Sequence, residues 1–343
     1  MRVFLFFLFC MFVVSCSTND NIDSEIKEEN NVVLEPKWSL TQPPYPKGVA
    51  GPYPLMNNPN YKSVSEITEL KETDKVGIVS FNNSIKVYPY IYNNTFEIVN
   101  DNIGEYYYAF SYCPQTKSAI NYNRVLKNDT LDLIASGYLY KENMVPSDTK
   151  FQYYWSQMLM KGINNAASEE EIGTYNHIQT NWKTVKEHFP EAKVFYSEST
   201  TTSKQSKTNQ NKNSADDKED VFSIIENFDN SVKEEVVHAF SLQNFGNEVQ
   251  MKKLSIDGNN VILISSKNHY FYTAYIVPEN ITFKEIDPNI FPPTLEDFQG
   301  NKWNVFGYAL DGPNKGDQMV SPKSYIADWW AWKLFYENIS IVQ

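Results

Sequence analysis

Phe81-Asn82-Asn83-Ser84-Ile85-Lys86 returns further along the chain as Phe228-Asp229-Asn230-Ser231-Val232-Lys233, at an offset of 147 residues. In both places apolar residues flank an Asn-Asn or Asp-Asn pair, which is hairpin chemistry because Asn and Asp tolerate positive φ. Working outward, Asn181-Trp182 returns as Asp328-Trp329 at the same offset of 147. Asn or Asp there predicts a helix N-cap, and Trp182, Val185, Phe189 and Trp329, Trp332, Tyr336 follow at helical spacing, with Pro190 stopping the first helix. Val194 matches Ile341 at that offset, and Trp155 matches Trp303 within one residue of it. The order and spacing of these matches predict two related copies of one module, an internal duplication in which each copy closes in a short aromatic helix and a strand. Strand-like runs at 105–112, 131–140, 261–265 and 269–277 fill the space between hairpin and helix. The expected fold class is α+β, mainly antiparallel sheet with few short helices.

The ends and the middle of the chain read differently. Arg2 precedes twelve unbroken apolar residues at 3–14, then Ser15 and Cys16. A positive start, a short apolar run and a small residue before the cut predict a signal peptide over 1–15. The run is well short of the roughly 20 residues that span a bilayer. Val13-Val14-Ser15-Cys16 resembles the lipobox of bacterial lipoproteins, in which the cysteine carries lipid such as palmitate and becomes the new N-terminus. Residues 16–44 then read as a polar stalk and 45–198 as the first module. Residues 199–220, with nothing more apolar than Ala215, read as a flexible linker or loop, and 221–343 as the second module. The expected place is the bacterial cell envelope, anchored through Cys16 and facing the periplasm or the cell surface.

Composition narrows the function. The chain of 343 residues is 41% hydrophobic and 21% charged, which supports a substantial core. Its 30 basic and 42 acidic residues give a net charge of −12, and no basic stripe is visible to hold nucleic acid. Only 13 glycines are present, and none forms a phosphate-cradling loop. Of three cysteines, Cys10 leaves with the signal and Cys16 carries lipid, so Cys113 is left without an internal disulfide partner.

The densest run of motifs surrounds that thiol. Glu97-Ile98-Val99-Asn100-Asp101 is followed by Ser111-Tyr112-Cys113-Pro114 and Ser136-Gly137-Tyr138-Leu139-Tyr140, then by Asp148-Thr149 and Trp155-Ser156-Gln157. The chain here resembles the bacterial domain-of-unknown-function 3179 family. That family's pattern runs His-Glu-Ile-Val-Asn-Asp, Thr-Tyr-Cys-Pro-Leu-Cys, Ser-Gly-x-Leu-Tyr, Met-Tyr-Asp and Trp-x-Gln. Trp303-Asn304-Val305-Phe306-Gly307, Ala309-Leu310-Asp311-Gly312-Pro313 and Trp329-Trp330-Ala331-Trp332 resemble its closing block, and Pro54-Leu55-Met56-Asn57-Asn58-Pro59 its entry, so the likeness covers about residues 45–343. Two positions depart from the pattern: Phe96 stands where the family has His, and Thr116 where it has the second cysteine. A histidine with two cysteines would suit zinc, copper or thiol redox chemistry. Without the imidazole and the second sulfur that site cannot form, and Thr116 removes the resolving thiol of a redox cycle.

Cys113 reads either as a nucleophile with a nearby base or as a small buried residue at a strand end. Glu97, Asn100, Asp101, Asp148, Trp155 and Gln157 are the candidate ligand-binding residues. For the Asn-Asp pair and for Asp148-Thr149, turn and capping chemistry is the competing reading. His177 and His188 are possible bases, whereas His238 and His269 have no acidic or cysteine motif beside them. The expected function is that of a non-catalytic, lipid-anchored envelope protein that binds a small ligand or an envelope partner, with no cofactor and no metal. The alternatives are a cysteine-dependent thiol transferase or hydrolase using Cys113 with Glu97 or Asp101, and a metal-binding protein drawing on the same groups.

Overall fold

The computed structural model describes residues 53–163, 167, 170–198, 219–226 and 235–342. The signal segment, Cys16, the stalk and nearly all of the polar linker lie outside the described residues, as does Phe228–Lys233. Within them the chain is mainly antiparallel β-sheet with few short helices.

A hairpin opens the first half. β1 (Lys75–Phe81) and β2 (Ser84–Pro89) pair antiparallel, and Asn82 and Asn83 turn the chain at φ 47° and 64°. Two consecutive residues in the left-handed region make the tight turn whose twist suits a hairpin, as the Asn-Asn pair predicts. A meander follows, made of β3 (Ile98–Ile103), β4 (Tyr106–Cys113) and β5 (Ser118–Asn123). The chain then returns as β6 (Ile178–Asn181), antiparallel to β1, and enters helix α1 (Trp182–His188). Asn181 caps this helix by accepting the Thr184 amide at 2.9 Å, and the helix ends at Phe189 before Pro190. β7 (Lys193–Phe195) closes the half by pairing parallel to β2.

The second half sets out the same kinds of element in the same order. β8 (Asp220–Glu226) and β9 (Val236–Ser241) pair antiparallel, and a meander of β10 (Gln250–Ile256), β11 (Asn259–Ser266) and β12 (Phe271–Ile276) follows. β13 (Ser324–Asp328) returns antiparallel to β8, helix α2 (Trp329–Phe335) follows, and β14 (Asn338–Ile341) pairs parallel to β9. The strand order β7-β2-β1-β6 is therefore mirrored by β14-β9-β8-β13, with matching senses.

The two halves are laced together. β6 continues into the second meander through Gln179 and Tyr272, giving an eight-stranded sheet with Tyr61–Ser63 at its far edge. Reciprocally, the Asp328 amide at the end of β13 donates to the Thr116 carbonyl of the first meander at 2.9 Å. Trp155, Trp182, Trp303 and Trp332 are all fully buried, whereas Trp329, the residue that matches Trp182, is only partly buried. Each of the four buried rings removes roughly 150–250 Å² from water, which makes them principal anchors of the core. Lys117 bridges to Asp220 at 3.1 Å and to Asp328 at 2.7 Å, while Tyr270 donates to Asp220 at 2.7 Å. Asp220, the first residue of β8, thus holds this joint.

Candidate functional site

β4 alternates as a sheet strand must. Tyr108, Phe110 and Tyr112 pack into one core, while Ala109 and Cys113 face another with the Ser111 hydroxyl between them. Cys113 ends the strand at 2% exposure, and the chain turns back at once, pairing Cys113 with Ser118. This tight return sets Thr116, Ser118 and the thiol together.

The polar side chains there form a connected set in which only the Asn143 side-chain carbonyl meets no partner among the described residues. Gln157 accepts from the Ser118 hydroxyl and from the Asn143 amide at 2.7 Å each, and donates to the Ser111 hydroxyl at 3.0 Å. Asn143 also donates to Thr116 Oγ1 at 2.8 Å, and Thr116 and Ser118 share a hydrogen bond of 2.8 Å. All five of these side chains are at most 1% exposed. The Thr116 hydroxyl reaches the Cys113 sulfur, so it occupies the position from which a second thiol would act.

Glu97 approaches the same sulfur from the start of β3. Its φ of 57° breaks the chain direction, its carbonyl accepts the Tyr112 amide at 2.9 Å, and Tyr53 hydrogen-bonds its carboxyl. Burial pushes the Glu97 carboxyl up to about 7. The thiol of Cys113 is also pushed up, by burial first and then by the nearby Glu97 charge, against the lowering effect of Thr116 and the Met144 main chain. Both groups therefore hold their protons more tightly than usual, the reverse of what an activated thiolate needs.

The other sequence candidates do other things. Asn100 donates to the Leu133 carbonyl at 2.7 Å and accepts the Leu133 amide at 2.9 Å, strapping β3 to the strand Leu133–Tyr140. Asp101 points away from the thiol into a cage of Tyr61, Tyr88, Tyr108 and Lys86, with the lysine at 2.8 Å. Asp148 accepts three amides, of Lys150, Phe151 and Tyr153, and so holds a turn. Trp155 is fully buried beneath Tyr153, and its indole N–H meets no partner among the described residues. The structure brings Glu97, Cys113 and Gln157 to one cluster and leaves Asp101 and Asp148 outside it. Ser118 and Asn143 escaped sequence reading because a single polar residue on a strand signals a partner only when the register is known.

The histidines are also scattered. His238 pairs with Glu226 at 2.7 Å across β8 and β9, so it does have an acidic partner, supplied by the neighbouring strand. His269 stacks on Phe291 with centroids 3.9 Å apart, and His188 meets it edge-on at 5.3 Å. His177 is 9% exposed and packs against Phe110. Among the described residues, no group of three or more His, Cys, Asp or Glu side chains could hold a metal ion.

One open concavity lies elsewhere. A cleft of about 230 Å³ is bounded by the ends of β1 and β6 and by residues 318–321 of the second half, with His177 in its wall. A water-sized chamber of about 20 Å³ adjoins it, lined by His177 and Asn121, whose side-chain carbonyl has no partner among the described residues. Burial pushes the His177 imidazole down to about 4, so it faces both spaces uncharged.

The family model described as "Protein of unknown function (DUF3179)" matches residues 51–339, and the chain belongs to that family. No curated protein and no solved structure matches the chain.

Proposed function

We propose that this member of the DUF3179 family works by binding rather than by catalysis, as a lipid-anchored protein of the bacterial cell envelope. The state of Cys113 carries this reading: the thiol is buried, holds its proton, and meets a threonine hydroxyl instead of a second sulfur. Beside it lies Glu97, whose carboxyl burial raises to about 7, so that it keeps its proton more tightly than an ordinary carboxyl. The anchor rests on sequence, on Arg2, the apolar run at 3–14 and Cys16 at its end. Membrane contact is through lipid on Cys16, the exposed side is the periplasm or the cell surface, and no nucleic acid is bound. The body consists of two copies of one module, a reading supported by the equal strand order and senses of the two halves and by the buried Trp155 and Trp303 at nearly the common offset.

Two measurements test the reading. Thiol labelling of the folded protein should be far slower than labelling after unfolding, and faster labelling in the folded state would establish the competing cysteine-enzyme reading, with Glu97 as the base. A Cys16→Ser variant should move from the membrane fraction to the soluble one. If it stays with membranes, the lipid anchor is wrong.

A further inference from the structure

From the cleft that His177 shares between the two halves, we propose a binding site for one uncharged sugar ring, a monosaccharide unit of a neutral glycan. This rests on the binding reading above and names the ligand class.

Charge is the first discriminator. No Asp, Glu, Lys or Arg lines the cleft, and the imidazole in its wall is neutral at ordinary pH. A charged ligand would be stripped of water there and meet no counter-charge, which disfavours its binding. Hydrogen bonding is the second. His177 makes ring contact with Phe110 but no hydrogen bond through its ring to a described residue, so one nitrogen is free to donate and the other to accept. Gln318 stands exposed at the rim with its side chain hydrogen-bonded to Tyr308, leaving capacity for a further partner, and the Ser80 hydroxyl in the same wall finds no partner among the described residues. A purely apolar ligand would leave the imidazole and the buried hydroxyl unpaired, which is unfavourable. A hydroxylated ligand, or a water that it brings, supplies the partners.

Shape and surface are the third. Phe81, Tyr106, Phe306 and Met319 give the cleft apolar walls against which the C–H face of a ring can lie. Phe81 is braced by Tyr106, stacked at 4.4 Å, and by Tyr175, edge-on at 5.0 Å, so this wall is rigid. The volume of about 230 Å³ is below the roughly 300–1,000 Å³ of sites for drug-sized ligands, and so suits one ring rather than a chain. Both halves build the site: β1 and β6 give Ser80 and Ile178, and the other half gives Phe306 and Gln318.

The test titrates the full chain, in a detergent without a sugar headgroup, with methyl β-glucopyranoside and methyl α-mannopyranoside. Glucuronate, glucosamine and phenol are the charged and apolar controls, and binding is followed by calorimetry and saturation-transfer NMR. Expected is saturable binding of at least one neutral glycoside, weakened about tenfold by Gln318→Ala and by His177→Phe. Gln318→Ala changes an exposed rim residue, so it remains informative if His177→Phe does not fold. Binding of phenol or of a charged sugar that Gln318→Ala weakens, without glycoside binding, overturns the sugar class and leaves the binding reading standing. Glycoside binding unaffected by either variant, or no binding of any probe, overturns the site, while the thiol measurement still decides the wider reading.

Discussion

The cluster around Cys113 and the cleft at His177 are both polar groups set in walls of sheet, and they differ in whether those groups meet one another. Around Cys113 five side chains from β4, β5, the turn between them and two later segments are joined by short hydrogen bonds, and burial raises the neighbouring Glu97 carboxyl to about 7. At the cleft the imidazole, a serine hydroxyl and an asparagine carbonyl have no such partners among the described residues. The region richest in sequence motif is therefore the closed one, whereas the open one takes from the quoted motifs only wall residues such as Phe81 and Phe306. A satisfied buried network rigidifies a fold, whereas unpaired groups beside an open space are what a ligand can use.

The largest expected effect tests closure. Gln157→Leu removes partners from Ser111, Ser118 and Asn143 at once and should destabilise the protein by roughly 3–5 kcal/mol in urea unfolding. A loss under 1 kcal/mol would mean that the cluster is not a closed network in solution.

The next effect belongs to the cleft and has an acid limb. The imidazole of His177 has an ordinary value of 6.5 and is held at about 4 in the fold. Below 6.5 the unfolded chain binds the extra proton, so this stability is fully present above that pH and is lost as pH falls through 4. The loss should be roughly 2–3 kcal/mol, and His177→Gln should flatten it; an unchanged acid limb would mean that the ring is solvated.

Glu97 carries the opposite sign. Its carboxyl is raised from 4.5 to about 7 in the fold. Between those values the folded state keeps a proton that the unfolded chain has released, so stability is full below 4.5 and falls as pH rises through 7. For a half-buried group the fall should be roughly 1–2 kcal/mol, and it should vanish in Glu97→Gln. Equal pH profiles for that variant and the parent would separate Glu97 from the thiol. The smallest effect is at the rim, where Gln318→Ala should change stability by under about 0.5 kcal/mol while weakening glycoside binding. A larger loss of stability would make Gln318 a packing residue instead.

Much of the fold was legible in the sequence. The Asn82-Asn83 pair declared its turn, Asn181 its cap and Pro190 its helix end, because each acts on backbone within a few residues. The strand-like runs fell within a residue or two of β4, β11 and β12, because period-2 burial is written in consecutive residues. The candidate site was only partly legible. Glu97, Cys113 and Gln157 do meet, yet Asn100 and Asp148 spend their hydrogen bonds on backbone, and Asp101 spends its own in the tyrosine cage. These residues share a motif with the thiol but alternate faces or lie on other turns, and alternation alone cannot say which face meets which.

The sequence by itself determined the class, the local elements, the family and the lone thiol, since composition, capping and turn chemistry act over short distances. Only the tertiary structure decided that Thr116 fills the second sulfur's place, that Asp220 holds a joint, and that the halves exchange strand neighbours around a cleft. The last two depend on contacts between residues distant in sequence, such as Lys117 with Asp220 and Gln179 with Tyr272, and sheet register sets such contacts, not any residue's own propensity.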